Sequence, residues 1–495
     1  MDLESISISG IIGIEMHTAE LSQRLGEWSA GKGPLYARLA NAIAMAIYRG
    51  DLMPGERLPA ERELARALAI SRTTVIAAYA FLRDQQLLEA RQGSGTRVDP
   101  RLRISGPLPP TYTMATKLTP AMAADVIDCS DSVVHDLDAI ADDSLGLTAR
   151  DLRQLARGVS YEPLGLPVLR SALARRYAAH GLPTSAEQIL ITTGAQQAID
   201  LVFELFGANH GTVIVEDPTY FGALDSARRP GINLLAVPRE LEGPSLSALA
   251  AALKQSRAQV VYLMTEGHNP TGAVTSQAVR AAILRHCREA EATIVDDATL
   301  GDLHFSGPVR PFAALPGADG VITIGSLSKI LFAGLRVGWI RAPVATINRL
   351  ARRKVVADLG SSHLSQLQAA RLVEFLDSAA AARVKTLRHQ LGVLTDALRT
   401  HLPEASWTAP AGGPVLWVRL PHGDAESFSQ LALRHGVRLT PGAKMSATGH
   451  FIDHVRISFT APPDELVAAA LRLGEAWRAY DGSIMAQPPR LEVVV

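Results

Sequence analysis

Lys329 follows Ser326-Leu327-Ser328 and precedes Arg336 by seven positions. A lysine in a partly dry setting can lose its proton and attack an aldehyde, while hydroxyls, backbone amides and a guanidinium fork suit a phosphate. Four other clusters carry compatible groups: Thr193-Gly194-Ala195-Gln196-Gln197, Glu216-Asp217-Pro218-Thr219-Tyr220, His268-Asn269-Pro270-Thr271-Gly272, and the acid pair Asp296-Asp297. A glycine turn opening a helix presents free amides to an anion. Tyr220 supplies a ring that can stack, Asn269 an amide that can bond an oxygen, and the paired acids a carboxylate that can hold a protonated nitrogen.

The elements that must position these groups are legible as apolar runs. Ile189 to Thr192, Thr212 to Val215, Val260 to Met264, Thr293 to Val295 and Val321 to Ile324 read as buried strands, and helical patterns such as Ala195 to Leu205 and Gln277 to Ala290 alternate with them. That alternation predicts an α/β domain with a mixed, largely parallel sheet covered by helices. Ligands of open parallel sheets gather at the carboxyl ends of the strands, where each of the five clusters stands. Together they describe a pyridoxal phosphate (PLP) site: a lysine for a Schiff base, a carboxylate for the pyridine nitrogen, an amide for the phenolic oxygen, a stacking ring and a phosphate cup.

A second kind of chemistry is written near the N-terminus. Leu35, Leu39, Ile43 and Ile47 fall four apart on one helix; a second helix after Leu58-Pro59 buries Leu64 and Leu68; Ser71 caps a third whose Val75, Tyr79 and Leu82 face inward. Two short strands, Leu87 to Ala90 and Thr96 to Val98, follow around Arg91-Gln92-Gly93-Ser94-Gly95. This is a winged helix-turn-helix, which places Arg72, Thr73 and Thr74 toward a DNA groove. Between Lys32 and Val98 ten basic residues face six acidic ones, so the module is positive, although the whole chain balances 49 Lys+Arg against 49 Asp+Glu.

The predicted organisation is an N-terminal extension (1–31), a winged helix-turn-helix (32–98), a proline-rich linker (99–124), the PLP-binding domain (125–482) and a tail (483–495). An apolar stretch from Ile6 to Ile14 lies in the extension. Cys129 and Cys287 are too far apart in sequence to suggest a disulfide framework or a metal cluster, so no metal is expected. The acidic start Met1-Asp2-Leu3-Glu4 and the lack of a bilayer-length apolar run predict a cytoplasmic protein without a membrane partner.

Residues 34 to 96 resemble the GntR-family DNA-binding domain, in Pro34-Leu35-Tyr36, Gly50-Asp51-Leu52, Pro54-Gly55-Glu56-Arg57-Leu58-Pro59, Glu61-Arg62-Glu63-Leu64-Ala65, Ser71-Arg72-Thr73-Thr74-Val75 and Gly93-Ser94-Gly95-Thr96. By that resemblance Arg62, Ser71, Arg72, Thr73, Thr74 and Gly93 meet double-stranded DNA, with Ile76 standing where some relatives carry a further arginine. From about Asp125 to Tyr480 the chain resembles the fold type I aminotransferases, through Tyr161-Glu162-Pro163-Leu164-Gly165, Thr192-Thr193-Gly194-Ala195-Gln196-Gln197, Asp217-Pro218-Thr219-Tyr220, Asn269-Pro270-Thr271-Gly272, Ser326-Leu327-Ser328-Lys329 and Gly334-Leu335-Arg336-Val337-Gly338-Trp339.

This second resemblance implies Lys329 as the Schiff-base residue and Asp297, rather than Asp296, as the partner of the pyridine nitrogen. It implies Asn269 on the phenolic oxygen and Tyr220 on the ring. Gly194, Ala195, Gln196, Ser326 and Arg336 would take the phosphate, and Arg456 the carboxylate of a substrate or effector. Leu300 stands where most aminotransferases have a tyrosine, which speaks against efficient turnover. The two parts in one chain resemble the MocR-type transcriptional regulators. That family implies a head-to-tail homodimer whose C-terminal domain senses PLP or an amino compound reacting with it. The rival expectation is a working aminotransferase with a DNA-binding appendage.

Overall fold

In the computed structural model the chain is described at residues 18–26, 28–29, 34–48, 51–91, 95–102, 125–133, 146–158, 161–207, 211–228, 231–307 and 309–480. The stretch 6–14, Gly93, residues 103–124 of the linker and the tail 483–495 lie outside the described residues.

The N-terminal module contains α1 (Thr18–Leu25), α2 (Leu35–Tyr48), α3 (Glu61–Ala67) and α4 (Arg72–Asp84), followed by the antiparallel pair β1 (Leu88–Arg91) and β2 (Gly95–Val98). Its core is separate from the rest of the molecule: Leu39, Ile43 and Ile47 of α2 meet Leu64 and Leu68 of the second helix and Val75, Tyr79 and Leu82 of the third. The tight connection between α3 and α4 depends on Ala69, whose φ of 50° lies in the left-handed region. Ser71 then caps α4 by accepting from the Thr74 amide at 3.1 Å. The residue pattern from Ala19 to Trp28 predicts a helix over that stretch; the helix runs from Thr18 to Leu25 and is followed by Gly26 at φ 62°.

The rest of the described chain begins with β3 (Ile127–Asp128), α5 (Ala149–Arg157) and α6 (Pro167–Ala179). It continues as β4 (Ile189–Thr192), α7 (Ala195–Gly207), β5 (Gly211–Asp217), α8 (Phe221–Ala227), β6 (Ile232–Glu240), β7 (Gly243–Pro244), α9 (Leu246–Ser256), β8 (Val260–Leu263), α10 (Gln277–Glu289), β9 (Thr293–Asp297), β10 (Ile322–Ser326) and β11 (Gly338–Arg341). These strands form one sheet in the order β4-β11-β10-β9-β8-β5-β6-β7. Strands β6, β5, β8, β9 and β10 run parallel, while β11 lies antiparallel to both its neighbours. Helices cover both faces, so β4, β5, β8 and β10 are buried along their whole length, which explains their unbroken apolar runs.

Helices α11 (Val344–Asp358), α12 (His363–Leu372) and α13 (Leu376–His401) lead to a smaller layer made of β12 (Ser406–Trp407), β13 (Val415–Arg419), α14 (Ala425–Arg434), β14 (Val437–Arg438), β15 (Thr440–Pro441), β16 (His454–Ser458) and α15 (Pro463–Ala479). Four of its strands pair in the order β12-β13-β16-β15, and β14 pairs in parallel with the distant β3. Among the described residues no single helix is long and apolar enough to cross a membrane.

Candidate cofactor site and DNA-reading face

Lys329, Asp297, Asn269, Tyr220, Ala195, Gln196, Ser326, Arg336 and Arg456 line one cavity of about 280 Å³. They come from elements more than 250 residues apart, and the strand ends bring them together. Asp297 ends β9 with its side chain in the cavity, while Asp296 faces the other side of the sheet, where it accepts from the Thr265 amide and hydroxyl at 3.1 and 2.9 Å. Alternation along a strand thus separates two acids that are adjacent in sequence.

Asp297 is held by the Tyr262 hydroxyl at 2.6 Å and the Thr299 amide at 3.0 Å. Burial pushes its carboxyl above the usual range, against these bonds and the charge of Lys329. Lys329 is held below the ordinary lysine value, chiefly by burial, with Arg456 and Arg336 adding to the effect and Asp131 and Asp297 opposing it. Its Nζ donates to the Ser132 carbonyl at 3.0 Å. The lysine is therefore shifted toward the neutral amine that a carbonyl compound requires.

Ser326 closes β10, and its hydroxyl accepts from the Ser328 amide at 3.2 Å. Arg336 adopts a left-handed φ of 54° and donates to the Thr193 carbonyl at 3.1 Å. Gly194 does not line the cavity; its role is clearance, since a Cβ there would stand 2.8 Å from Nη2 of Arg336. Tyr220 donates to Gln196 Oε1 at 3.1 Å, and Gln196 in turn donates to the Gly222 carbonyl at 2.8 Å. Arg456, on β16, is not a surface residue: it is 2 % exposed and donates to Asn269 Oδ1 at 3.1 Å and to the Ser130 carbonyl. Burial lowers its pKa to about 10.

Sequence reasoning missed Asp131, Ser132 and Val133, which line the cavity on a strap that follows β3. Their position is set by the pairing of Ile127 and Asp128 with Val437 and Arg438, a signal no local pattern carries. Leu300 also lines the cavity and is 4 % exposed, so a hydrocarbon faces the site where the family pattern predicts a phenol.

On the other module Arg62, Ser71, Arg72 and Thr73 are exposed, with Thr74 half-buried. The Ser71 hydroxyl joins those of Thr73 at 2.7 Å and Thr74 at 2.8 Å, ordering the first turn of α4. Arg72 lies 4.0 Å from Glu61 with its side chain 64 % exposed, a contact weak enough for a phosphate to replace. Ile76 is 41 % exposed and offers no donor.

Fold and cavity define a fold type I PLP-binding protein, and the capped third helix with its hairpin defines a winged helix-turn-helix on the same chain. The pattern of the family described as Aminotransferase class I and II matches residues 147–473, and that of the bacterial regulatory proteins of the gntR family matches residues 35–98. The HTH-type transcriptional regulator YdcR of Escherichia coli is 31 % identical over 445 residues, covering 84 % of this chain and 92 % of the relative. The rhizopine catabolism regulatory protein MocR of Rhizobium meliloti is 27 % identical over 445 residues, covering 81 % and 87 %. Among solved structures, the α-aminoadipate aminotransferase LysN of Thermus thermophilus, complexed with N-(5'-phosphopyridoxyl)-L-leucine, shares 30 % identity and a TM-score of 0.66, covering 72 % of this chain and 93 % of that one. The chain belongs to the aminotransferase class I and II family, in the MocR-type branch that carries a GntR DNA-binding domain.

Proposed function

We propose that this chain is a DNA-binding transcriptional regulator that binds PLP at Lys329 and responds to PLP or to an amino compound reacting with it. The observation that carries the reading is that one chain holds a cavity lined by Lys329, Asp297, Asn269, Tyr220 and Arg336, which suit PLP, and an exposed first turn of α4 ordered by the Ser71 hydroxyl. The residues fit the cofactor: a buried carboxylate, a lysine shifted toward its neutral form, a ring at Tyr220, and Gly194 clearing the way for Arg336.

When bound, PLP supplies an aldehyde to a primary amine and an electron-withdrawing ring. Lys329 would hold it, Asp297 would face the pyridine nitrogen, Asn269 the phenolic oxygen, and Ala195, Gln196, Ser326 and Arg336 the phosphate. Arg456 orients the carboxylate of an effector. On the DNA side Arg62, Arg72 and Thr73 contact the duplex, with Ser71 and Thr74 fixing the start of the helix and Gly93 at the wing. Two chains pairing head to tail, as the resemblance to MocR-type regulators implies, would bring two winged helices to one DNA segment.

Leu300 supports sensing over catalysis, because it removes a hydrogen bond to the cofactor worth on the order of 1 kcal/mol. The alternative, a working aminotransferase, is favoured by the otherwise full set of site residues. Steady-state assays with a panel of amino donors and keto acids separate the two. The regulator reading expects no sustained turnover together with selective binding to DNA upstream of its own gene; enzyme-like turnover without DNA preference contradicts it.

A further inference from the structure

Helix α14 touches both halves of the molecule. Three of its residues spaced four apart, Glu426, Gln430 and Arg434, lie on one face. Glu426 accepts from the Ser22 hydroxyl at 3.1 Å and Gln430 donates to the Gly26 carbonyl at 3.4 Å, both partners belonging to α1 or its end. Arg434 donates to the carbonyls of Leu68 at 3.1 Å and Ala69 at 2.7 Å. Leu68 is the C-cap of α3 and Ala69 the left-handed turn residue after it, two positions before the cap of α4. A helix C-terminus leaves its last carbonyls without intrahelical donors, and a guanidinium there satisfies them and complements the helix dipole.

From the same helix the chain runs through Gly436 into β14, which pairs in register with β3. The Ile127 amide donates to the Gly436 carbonyl at 2.9 Å, and the Cys129 amide to the Arg438 carbonyl at 3.0 Å. Beyond β3, Asp128 Oδ1 accepts from the Ser130 amide at 2.8 Å and from its hydroxyl at 2.7 Å. The next carbonyls on this strap are the acceptors for Arg456, at Ser130, and for Lys329, at Ser132. Condensation of the neutral Nζ with an aldehyde, which forms a C=N bond and releases the carbonyl oxygen as water with the amine's two protons, would leave the nitrogen at most one proton to donate, so Ser132 on the strap would lose or change its donor.

We propose that α14 couples the lysine site to the DNA-reading helix, with Arg434 as the positioning residue that passes a shift of the 127–132 strap to the turn before α4. Arg434 meets neither PLP nor DNA on this reading; it acts by holding Leu68 and Ala69. Its acceptors are carbonyls rather than a carboxylate, so the contact is a pair of hydrogen bonds and not an ion pair. The inference rests on the regulator reading and names the route by which that site acts.

The test uses the full-length chain, wild type, Arg434→Ala and Arg434→Lys, with DNA from upstream of its own gene. PLP retention is measured beside DNA affinity with and without PLP, and hydrogen exchange is followed at the amides of residues 69–75. The wild type is expected to change its DNA affinity with PLP about fivefold or more, and to change exchange at 69–75 with it. Arg434→Ala is expected to retain PLP as the wild type does, which reports an intact C-terminal domain, while the effect of PLP on DNA and on exchange falls to within about twofold. Arg434→Lys, keeping a donor, restores part of the effect. Gln430→Ala, a milder change on the same face, reduces the PLP effect partially and supplies the reading if Arg434→Ala does not fold. A wild type that responds to PLP while Arg434→Ala or Gln430→Ala responds equally overturns the coupling alone. A wild type indifferent to PLP overturns the regulator reading and the coupling with it.

Discussion

The PLP cavity and the DNA-reading face are built on opposite principles. In the cavity, groups from many segments are buried together, and their pKa values are moved from the ordinary ones: Asp297 upward, Lys329 and Arg456 downward, in each case chiefly by burial. On the reading face, Arg62, Ser71, Arg72 and Thr73 come from one short stretch and stand in water. The first arrangement fixes geometry before a ligand arrives, so each group has a large effect on one small molecule. The second leaves its arginines exposed to solvent and salt, so each contributes a modest, salt-dependent share to binding a polyanion.

If that contrast is right, substitutions should rank accordingly. Lys329→Ala is expected to abolish covalent attachment outright: after borohydride reduction the intact mass should show no PLP adduct, whereas a persistent adduct would move the Schiff base to another lysine. Asp297→Asn keeps the size and removes the charge; losing a charge-assisted bond of about 1.5–3 kcal/mol should weaken PLP binding roughly 10- to 100-fold in equilibrium titration. An unchanged affinity would show that Asp297 is not the nitrogen partner. On the exposed face the effects shrink: Arg72→Ala should weaken operator and unrelated DNA alike and reduce the slope of log affinity against log salt by about one. A loss confined to the operator would make Arg72 a base reader instead.

The smallest effect concerns protonation. If Lys329 attaches PLP through its neutral form, as proposed, the rate of attachment should rise with pH and level off at a lower pH than for an ordinary lysine, because burial depresses its pKa. Asp131 opposes that depression, so Asp131→Asn should move the levelling point to still lower pH in stopped-flow absorbance. A shift to higher pH would mean that Asp131 acts on the lysine in some other way than through its charge.

The same contrast governs how much was readable before the structure. The reading face is local, so spacing of Leu39, Ile43, Ile47 and Ser71 was sufficient to locate its helices and its cap. The large sheet was legible because helices bury both faces and force continuous apolar runs, as in Ile189 to Thr192 and Val260 to Leu263. Strand β11 was not, since Gly338 to Arg341 is short, mixed in polarity and fixed by antiparallel neighbours. The strap carrying Asp131 and Ser132 was invisible for a related reason: it is placed by partners about 310 residues away, such as Arg438 on Asp128 at 3.3 Å. Cavity residues that follow a long strand could be read; those positioned by two-residue strands in the smaller layer could not.

On the proposed reading these two unlike regions share one equilibrium. Linkage makes that claim reciprocal: if PLP changes the affinity for operator DNA by some factor, operator DNA must change the affinity for PLP by the same factor. The most direct measurement is therefore a titration of PLP into the full-length protein at fixed salt, alone, with DNA from upstream of its own gene, and with an unrelated duplex. A shared equilibrium predicts a PLP affinity that differs in the presence of the upstream DNA, by the factor found in the converse DNA titration, and is little changed by the unrelated duplex. Identical PLP affinity in all three conditions would contradict it and leave a PLP-binding domain and a winged helix that only share a chain.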